Sequence, residues 1–160
     1  MPCPAVILRP YTLSDKPAML RRAAAFFGRA GSDNLARETL REWLKKPNEV
    51  YLIARDEVDV GFLCLGFRGS NVAWINYLYV DEALRGQGIA TAAIYAAEKI
   101  VLSRRGYNAL CMDVDPHNAA ALRLYHRLGY DTLSMLTVRK NFGGGAKEES
   151  MHVLGFEYRY

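Results

Sequence analysis

Apolar and polar positions recur along this chain with two different periods, and each change of period marks an element. Val6 to Arg9 reads as a first short strand. Ser14 or Asp15 then caps a helix that carries Met19, Leu20, Ala23, Ala24 and Phe27 at spacings of three and four. A second helix runs from about Asn34 to Lys46, with Ala36, Leu40, Trp43 and Leu44 on one stripe and Pro47 just past its end. Strand-like runs follow at Val50 to Arg55, Val60 to Arg68 and Ala73 to Val80, separated by turns at Asp56-Glu57 and Gly69-Ser70-Asn71, which predicts an antiparallel meander. Ile89, Ala92, Ala93, Ala96 and Ile100 mark a long helix that closes near Gly106. Ala109 to Asp115 is another strand, and a helix from about Asn118 to Leu128 ends at Gly129. Thr132 to Lys140 and Met151 to Tyr158 are the last strands, joined by a loop holding Gly143-Gly144-Gly145 and Lys147-Glu148-Glu149. Helices set among antiparallel strands, with one strand–helix–strand crossover, predict a mixed α+β sheet.

Composition narrows this picture little but usefully. At 160 residues, with no internal repeat and no Pro-, Gly- or Ser-rich linker, the chain is expected to form a single domain over 1–160. Hydrophobic residues at 51 % and charged residues at 24 % are ordinary for a globular protein and exclude disordered, collagen-like and coiled-coil classes. No apolar run approaches the roughly 20 residues that span a bilayer. Met1 to Leu8 lacks the basic start and apolar stretch of a secretory signal. Three scattered cysteines, Cys3, Cys64 and Cys111, form neither a disulfide framework nor a zinc-ligand pattern, so the expected setting is the reducing cytoplasm and no metal is expected. The net charge of +4 suits an anionic ligand, but the basic residues are dispersed as Arg21-Arg22, Lys45-Lys46, Arg104-Arg105 and Arg139-Lys140. Without aromatic residues interleaved among them they read as solvated faces, not as a nucleic-acid groove.

The segment Tyr77-Leu78-Tyr79-Val80-Asp81-Glu82-Ala83-Leu84-Arg85-Gly86-Gln87-Gly88-Ile89-Ala90 carries the most chemistry. An apolar strand leads through an acidic turn into a glycine-bearing loop that opens a helix. The first helical turn offers unpaired N–H groups and the positive end of the helix dipole. Gly86 and Gly88 have no Cβ, so a ligand oxygen can come close to those amides, and the combination suits a pyrophosphate. It is neither a P-loop nor a dinucleotide fingerprint, because G-x-x-x-x-G-K-[ST] and G-x-G-x-x-G are both absent. On the glycines alone, a plain helix entry explains the loop equally well. Downstream, Asp113-Val114-Asp115-Pro116-His117-Asn118 leaves a strand, with Asn118 placed to cap the next helix and Gly129-Tyr130 to stop it.

At this point the chain resembles the GNAT superfamily of acyl-coenzyme A-dependent N-acyltransferases. The resemblance rests on R-x-x-G-x-[GA], here Arg85 to Ala90, and on N-x-x-A-x-x-x-Y-x-x-x-G-[FY], here Asn118, Ala121, Tyr125, Gly129 and Tyr130. It extends to the order of elements over essentially the whole chain. It implies a mostly antiparallel central sheet of about seven strands with four helices and a splayed parallel pair at its centre. The strand before the loop would carry a bulge that opens this splay, and acetyl-CoA would lie in the cleft. By the same resemblance, Leu78, Tyr79 and Val80 would line the pantetheine arm and acetyl carbonyl. The amides of Arg85, Gly86, Gln87, Gly88, Ile89 and Ala90, with Thr91, would hold the pyrophosphate, and Asn118 would contact the pantetheine.

Acyl transfer to an amine needs a neutral amine, a stabilised oxyanion and a proton for the leaving thiolate. A lysine-like amine has a pKa near ~10.4 and is mostly ammonium at neutral pH, so some base must take its proton. Backbone amides at the bulge are natural oxyanion donors. Tyr125 matches the family's general acid; the simpler reading is a core aromatic on the Ala121, Tyr125, Leu128 stripe. Many relatives carry a glutamate on the strand before the loop, but Trp74-Ile75-Asn76-Tyr77 has no carboxylate. Asp113, where some N-terminal-amine acetyltransferases carry a glutamate, is the candidate base; a surface or structural aspartate is the alternative. Cys111 shares a face with Asp113 and Asp115 by alternation, but a lone cysteine is more often a small buried residue than a nucleophile. His126 follows Tyr125 directly and points elsewhere. The reading implied is acetyl transfer to a primary amine of a small molecule or peptide, with no nucleic acid, no membrane and room for a homodimer. Tyr77, Tyr79, Tyr158 and Tyr160 would suit an amine flanked by apolar surface. A module that binds acyl-CoA without turnover, motivated by the missing carboxylate, is the competing reading.

Overall fold

The computed structural model describes residues 5–28, 33–69, 71–140, 142 and 149–160. Cys3, Ser70, the Gly143-Gly144-Gly145 run and Lys147-Glu148 lie outside the described residues. The strands are β1 (Ile7–Pro10), β2 (Asn48–Arg55), β3 (Val58–Gly66), β4 (Val72–Val80), β5 (Ala109–Met112), β6 (Ser150–Val153) and β7 (Phe156–Arg159). The helices are α1 (Lys16–Phe26), α2 (Asp33–Trp43), α3 (Ile89–Leu102) and α4 (Ala119–Arg127). The chain falls into two compact units that divide between Asp113 and Val114.

The first unit is a five-stranded sheet in the order β1-β2-β3-β4-β5. The first four strands pair antiparallel, and β4 and β5 pair parallel. Asp56 and Glu57, both at positive φ, make the two-residue turn that joins β2 to β3, a turn whose twist matches that of the strands. On one face Met19 and Ala23 of α1 and Ala36, Leu40 and Trp43 of α2 pack on Val50, Leu52, Phe62 and Cys64. This is the stripe that the three-and-four spacing predicts. Helix α3 packs against β1, β4 and β5. Its buried line runs through Ile89, Ala92, Ala93, Ala97 and Val101, so it drifts one position from Ala96 and Ile100 along the second half of the helix.

In the second unit, α4 opens as predicted: Asn118 Oδ1 accepts the Ala121 N–H at 3.1 Å. Two strand expectations change here. Residues 132–140 form no strand, and Leu133, Met135, Leu136 and Val138 are all exposed, so their apolar spacing marks no buried face. Met151 to Tyr158 is not one strand but the hairpin β6–β7, turned at Leu154-Gly155 with both residues at positive φ. Among the described residues the seven strands are thus five in the central sheet and two in a separate ladder.

Candidate active site

The site is built around β4. Along β3 the register passes from Cys64↔Tyr77 to Leu65↔Ile75, which leaves Asn76 as an extra residue in β4. Such a bulge bends its strand and strengthens the local twist. Two side chains hold it: Asn76 donates through Nδ2 to Asn48 Oδ1 at 3.1 Å, and the space it occupies exists because residue 66 is glycine. The parallel pairing with β5 covers only Val72↔Ala109 to Ile75↔Met112. From Asn76 to Val80 the edge of β4 that faces away from β3 has no strand partner among the described residues. The splay begins at the bulge.

The free edge leads directly into the loop. Asp81 is fixed from two sides: its N–H donates to the Val60 carbonyl at 2.9 Å, and its carboxylate receives Arg22 Nε and Nη2 at 2.9 and 2.7 Å. Arg22 also donates to the Asp59 carbonyl at 2.6 Å, so this arginine of α1 ties β3 to the end of β4. A 3₁₀ turn, Glu82–Leu84, follows, and then Gly86 and Gly88 at φ of 77° and 79°. At these angles an L side chain is strained, which is why glycine stands there. The first helical bond of α3 runs from the Ala92 N–H to the Gly88 carbonyl at 3.0 Å. Ahead of it, among the described residues, the amides from Gly86 to Thr91 donate to no carbonyl. The Arg85 amide is already committed to the Glu82 carbonyl at 3.2 Å, and its Nε donates to the Val80 carbonyl at 3.3 Å. Gln87 is held by Arg55, which donates to its Oε1 at 2.8 Å. The result is a row of free N–H groups at the positive end of a 14-residue helix.

Leu78, Tyr79, Val80 and the loop residues Arg85 to Thr91 are therefore brought together in the first unit. Asp113 belongs to it too: Met112 pairs with Ile75, so Asp113 comes just where β4 and β5 part, and it is exposed. Cys111 lies on β5 opposite Trp74, half-buried. Burial pushes the Cys64 thiol up to about 12, which leaves it an inert core residue. Asn118 and Tyr125 belong to the second unit. Tyr125 is half-buried with its ring 6.4 Å from that of Tyr130, and burial holds its phenol pKa above the usual value. His126 is exposed, as expected. His117 pairs with Asp115 at 2.8 Å and its ring lies 4.9 Å from that of Tyr160. Among the described residues no group of three or more His, Cys, Asp and Glu is placed to hold a metal ion, and no helix is long and apolar enough to cross a membrane.

Two residues of this site went unread in the sequence. Asn76 shows there only as a missing carboxylate; its polar side chain within an apolar strand was the available signal of a bulge. Arg22 sits on the helix stripe's border, and its long-range partner Asp81 has no local signature.

The profile of the acetyltransferase (GNAT) family matches residues 17–130. The chain belongs to the GNAT acetyltransferase family. An uncharacterized N-acetyltransferase of Methanocaldococcus jannaschii is 31 % identical over 94 residues, which are 59 % of this GNAT chain and 60 % of the relative, so the match spans about three fifths of the relative's length. A possible acetyltransferase from Clostridium difficile 630 superposes with a TM-score of 0.71 at 15 % identity, covering 87 % of this chain and 99 % of its own. The enzyme AAC(6')-Iy, in complex with the bisubstrate analogue CoA-S-monomethyl-acetylneamine, gives a TM-score of 0.70 at 17 % identity, covering 86 % of this chain and 99 % of its own. At such identities the structural likeness speaks for the fold: a mixed α+β sheet with one parallel pair and four helices, as the sequence implied.

Proposed function

We propose that this GNAT protein is an N-acetyltransferase that moves the acetyl group of acetyl-CoA to a primary amine of a small molecule or peptide by direct attack, with residues 1–160 acting as one catalytic domain in the cytoplasm. The observation that carries the reading is the unpaired edge of β4 from Asn76 to Val80 running into the free amides of Gly86 to Thr91. That row of donors fits a pyrophosphate, and the edge above it fits an amide-bearing arm that pairs like a strand. The family profile crosses the boundary between the two units, which supports treating them as one domain. The complex of AAC(6')-Iy with a CoA-containing analogue supports the choice of coenzyme.

In this reading the amides of Gly86 to Thr91 bind the pyrophosphate, and Arg85 assists through its guanidinium because its own amide is engaged. Leu78, Tyr79 and Val80 align the pantetheine arm and orient the acetyl carbonyl through backbone groups. Asn118 uses Oδ1 as a helix cap, which leaves its Nδ2 hydrogens for the pantetheine. The coenzyme supplies an activated thioester. Asp113, directly or through water, takes the proton of the attacking amine. Tyr125, kept protonated by burial, returns a proton to the departing sulfur.

Calorimetry with acetyl-CoA and mass spectrometry of an amine panel test the proposal together. Heat of binding and acetylated product are expected, and Gly88→Glu, which adds strain, bulk and a like charge to the anion site, is expected to remove the heat. Binding without product on any amine would leave a non-catalytic acyl-CoA sensor, and absence of binding would reject both.

A further inference from the structure

We propose that the acceptor is an arylalkyl primary amine, an amine joined by a short methylene linker to a flat apolar ring, and that Phe26, Phe27, Tyr77 and Tyr79 form the platform that selects it. The inference rests on the acetyl-transfer reading above.

The platform is built from two elements. Phe26 and Phe27 close α1, and Tyr77 and Tyr79 follow the bulge of β4. The Phe26 ring lies 5.6 Å from Tyr77, 6.4 Å from Tyr79 and 5.0 Å from Phe27, in edge-on geometries of 87°, 75° and 86°. Beneath them Trp43 and Phe62 form the floor, 4.9 Å apart and 2 % and 0 % exposed. Among the described residues the upper surface stays open: Phe26 is 36 % and Phe27 43 % exposed. A soluble protein leaves two adjacent phenylalanines exposed above a closed aromatic floor only at some cost, and contiguous exposed apolar surface marks binding sites.

Position connects this surface to the chemistry. Tyr77 and Tyr79 flank Leu78 on the free edge of β4, so the rings begin within one residue of the backbone to which the acetyl carbonyl is assigned. That short reach limits the linker between ring and nitrogen. Charge points the same way. A polyamine or an amino sugar would need several free carboxylates, but apart from Asp113, the proposed base, Asp81 is engaged by Arg22 and Asp59 by Arg9. A protein cation already stands by the rings: Arg85 lies 5.6 Å over Tyr79. An apolar wall also favours the neutral form of an amine over its ammonium, which eases attack where β4 carries no carboxylate. In the transfer, the amine nitrogen forms the amide bond as the thioester C–S bond breaks. The amine proton goes to Asp113 or its water, and the sulfur takes one from Tyr125.

The test measures CoA thiol release at saturating acetyl-CoA with 2-phenylethylamine, spermidine and glucosamine, alongside calorimetry with acetyl-CoA. The expected kcat/KM for 2-phenylethylamine exceeds that for the other two by about tenfold or more, as burial of one ring allows. Phe27→Ala and Phe26→Leu should each raise the KM for 2-phenylethylamine several-fold and leave the KM for acetyl-CoA unchanged. Phe27 is exposed enough for its variant to keep the wild-type melting temperature. Preference for spermidine or glucosamine, or variants that keep the wild-type preference, would overturn the acceptor assignment while leaving acetyl transfer standing. Acetyl-CoA binding without acetylation of 2-phenylethylamine overturns it too. No heat with acetyl-CoA would instead bring down the parent reading.

Discussion

A phenol can act as an acid only while it holds its proton, and Tyr125 is held in that state by burial. Its ordinary pKa is already ~10, so a further rise keeps it protonated across the physiological range. Because the folded value is raised, the active form is fully present below pH ~10 and is lost only as pH climbs through that raised value. Tyr125→Phe is expected to lower kcat by about tenfold or more with the acetyl-CoA dissociation constant unchanged. The alkaline limb of the wild-type pH–rate profile should lie above the ordinary phenol range, and the Phe variant should lose it; unaltered turnover would remove the acid role. Gly66 makes a different point about single positions. A Cβ there would collide with the Asn76 amide that bonds Asn48. Gly66→Ala is therefore expected to cost about 1–2 kcal/mol of unfolding free energy, since a half-buried amide loses its partner. It should also lower kcat, since the bulge would move. Urea titration beside the activity assay checks both effects.

Strands and helices show why part of the site was legible and part was not. The loop could be read because its requirements are local: two glycines at positive φ and a helix start lie within four residues. Helices α1, α2 and α3 and the meander could be read for the same reason, since each buried stripe lies within one element, and α4 could be read from its Asn118 cap. The bulge could not. Strict alternation through β4 would place Ala73, Ile75, Tyr77 and Tyr79 on one face, but the extra residue at Asn76 turns Tyr77 and Tyr79 toward Phe62, Trp43 and the α1 side. Residues 132–140 failed in the opposite sense, because apolar spacing marks a strand only where one face is buried, and Leu133 and Val138 are open to water. The Arg22 clamp belongs with these elements. It joins α1 to Asp81 and to the Asp59 carbonyl, so α1 helps to hold the turn before the loop of Gly86 and Gly88. Arg22→Met keeps the apolar stem and removes the charge. The expected result is a several-fold higher KM for acetyl-CoA at nearly constant kcat, with a melting temperature lower by about 2–6 °C. Rescue of KM by Arg22→Lys but not by Arg22→Gln would show that the charge on Asp81 is what matters, and a kcat that falls with KM unmoved would count against the role.

Charge pairing that spans the sheet sets how the protein as a unit responds to pH. Arg9 of β1 pairs with Asp15, ahead of α1, and with Asp59 of β3, so one guanidinium joins the first strand and the start of the first helix to a strand 50 residues away. The hydrogen bonds from Arg9 hold the Asp15 carboxyl well below its usual range, more than offsetting the rise that burial would cause. A lowered folded value means that this stabilisation is complete above the unfolded pKa of 3.8 and is lost as pH falls through the folded one. At the other end of the scale, burial and the bond to Glu49 push Tyr51 up to about 12 from 10.0. A raised folded value works in reverse: its contribution is intact below pH 10 and disappears between 10 and about 12. The unfolding free energy is therefore expected to be flat from about pH 5 to 9 and to fall on both sides. The alkaline loss from Tyr51 alone should reach about 3 kcal/mol. Two variants separate the limbs. Asp15→Asn should lower the plateau and flatten the acid side, leaving the alkaline side in place. Tyr51→Phe should flatten the alkaline side and spare the acid one. Urea unfolding at half-unit pH steps reads both, and an acid limb of wild-type steepness in Asp15→Asn would show that the Arg9 network does not control acid stability.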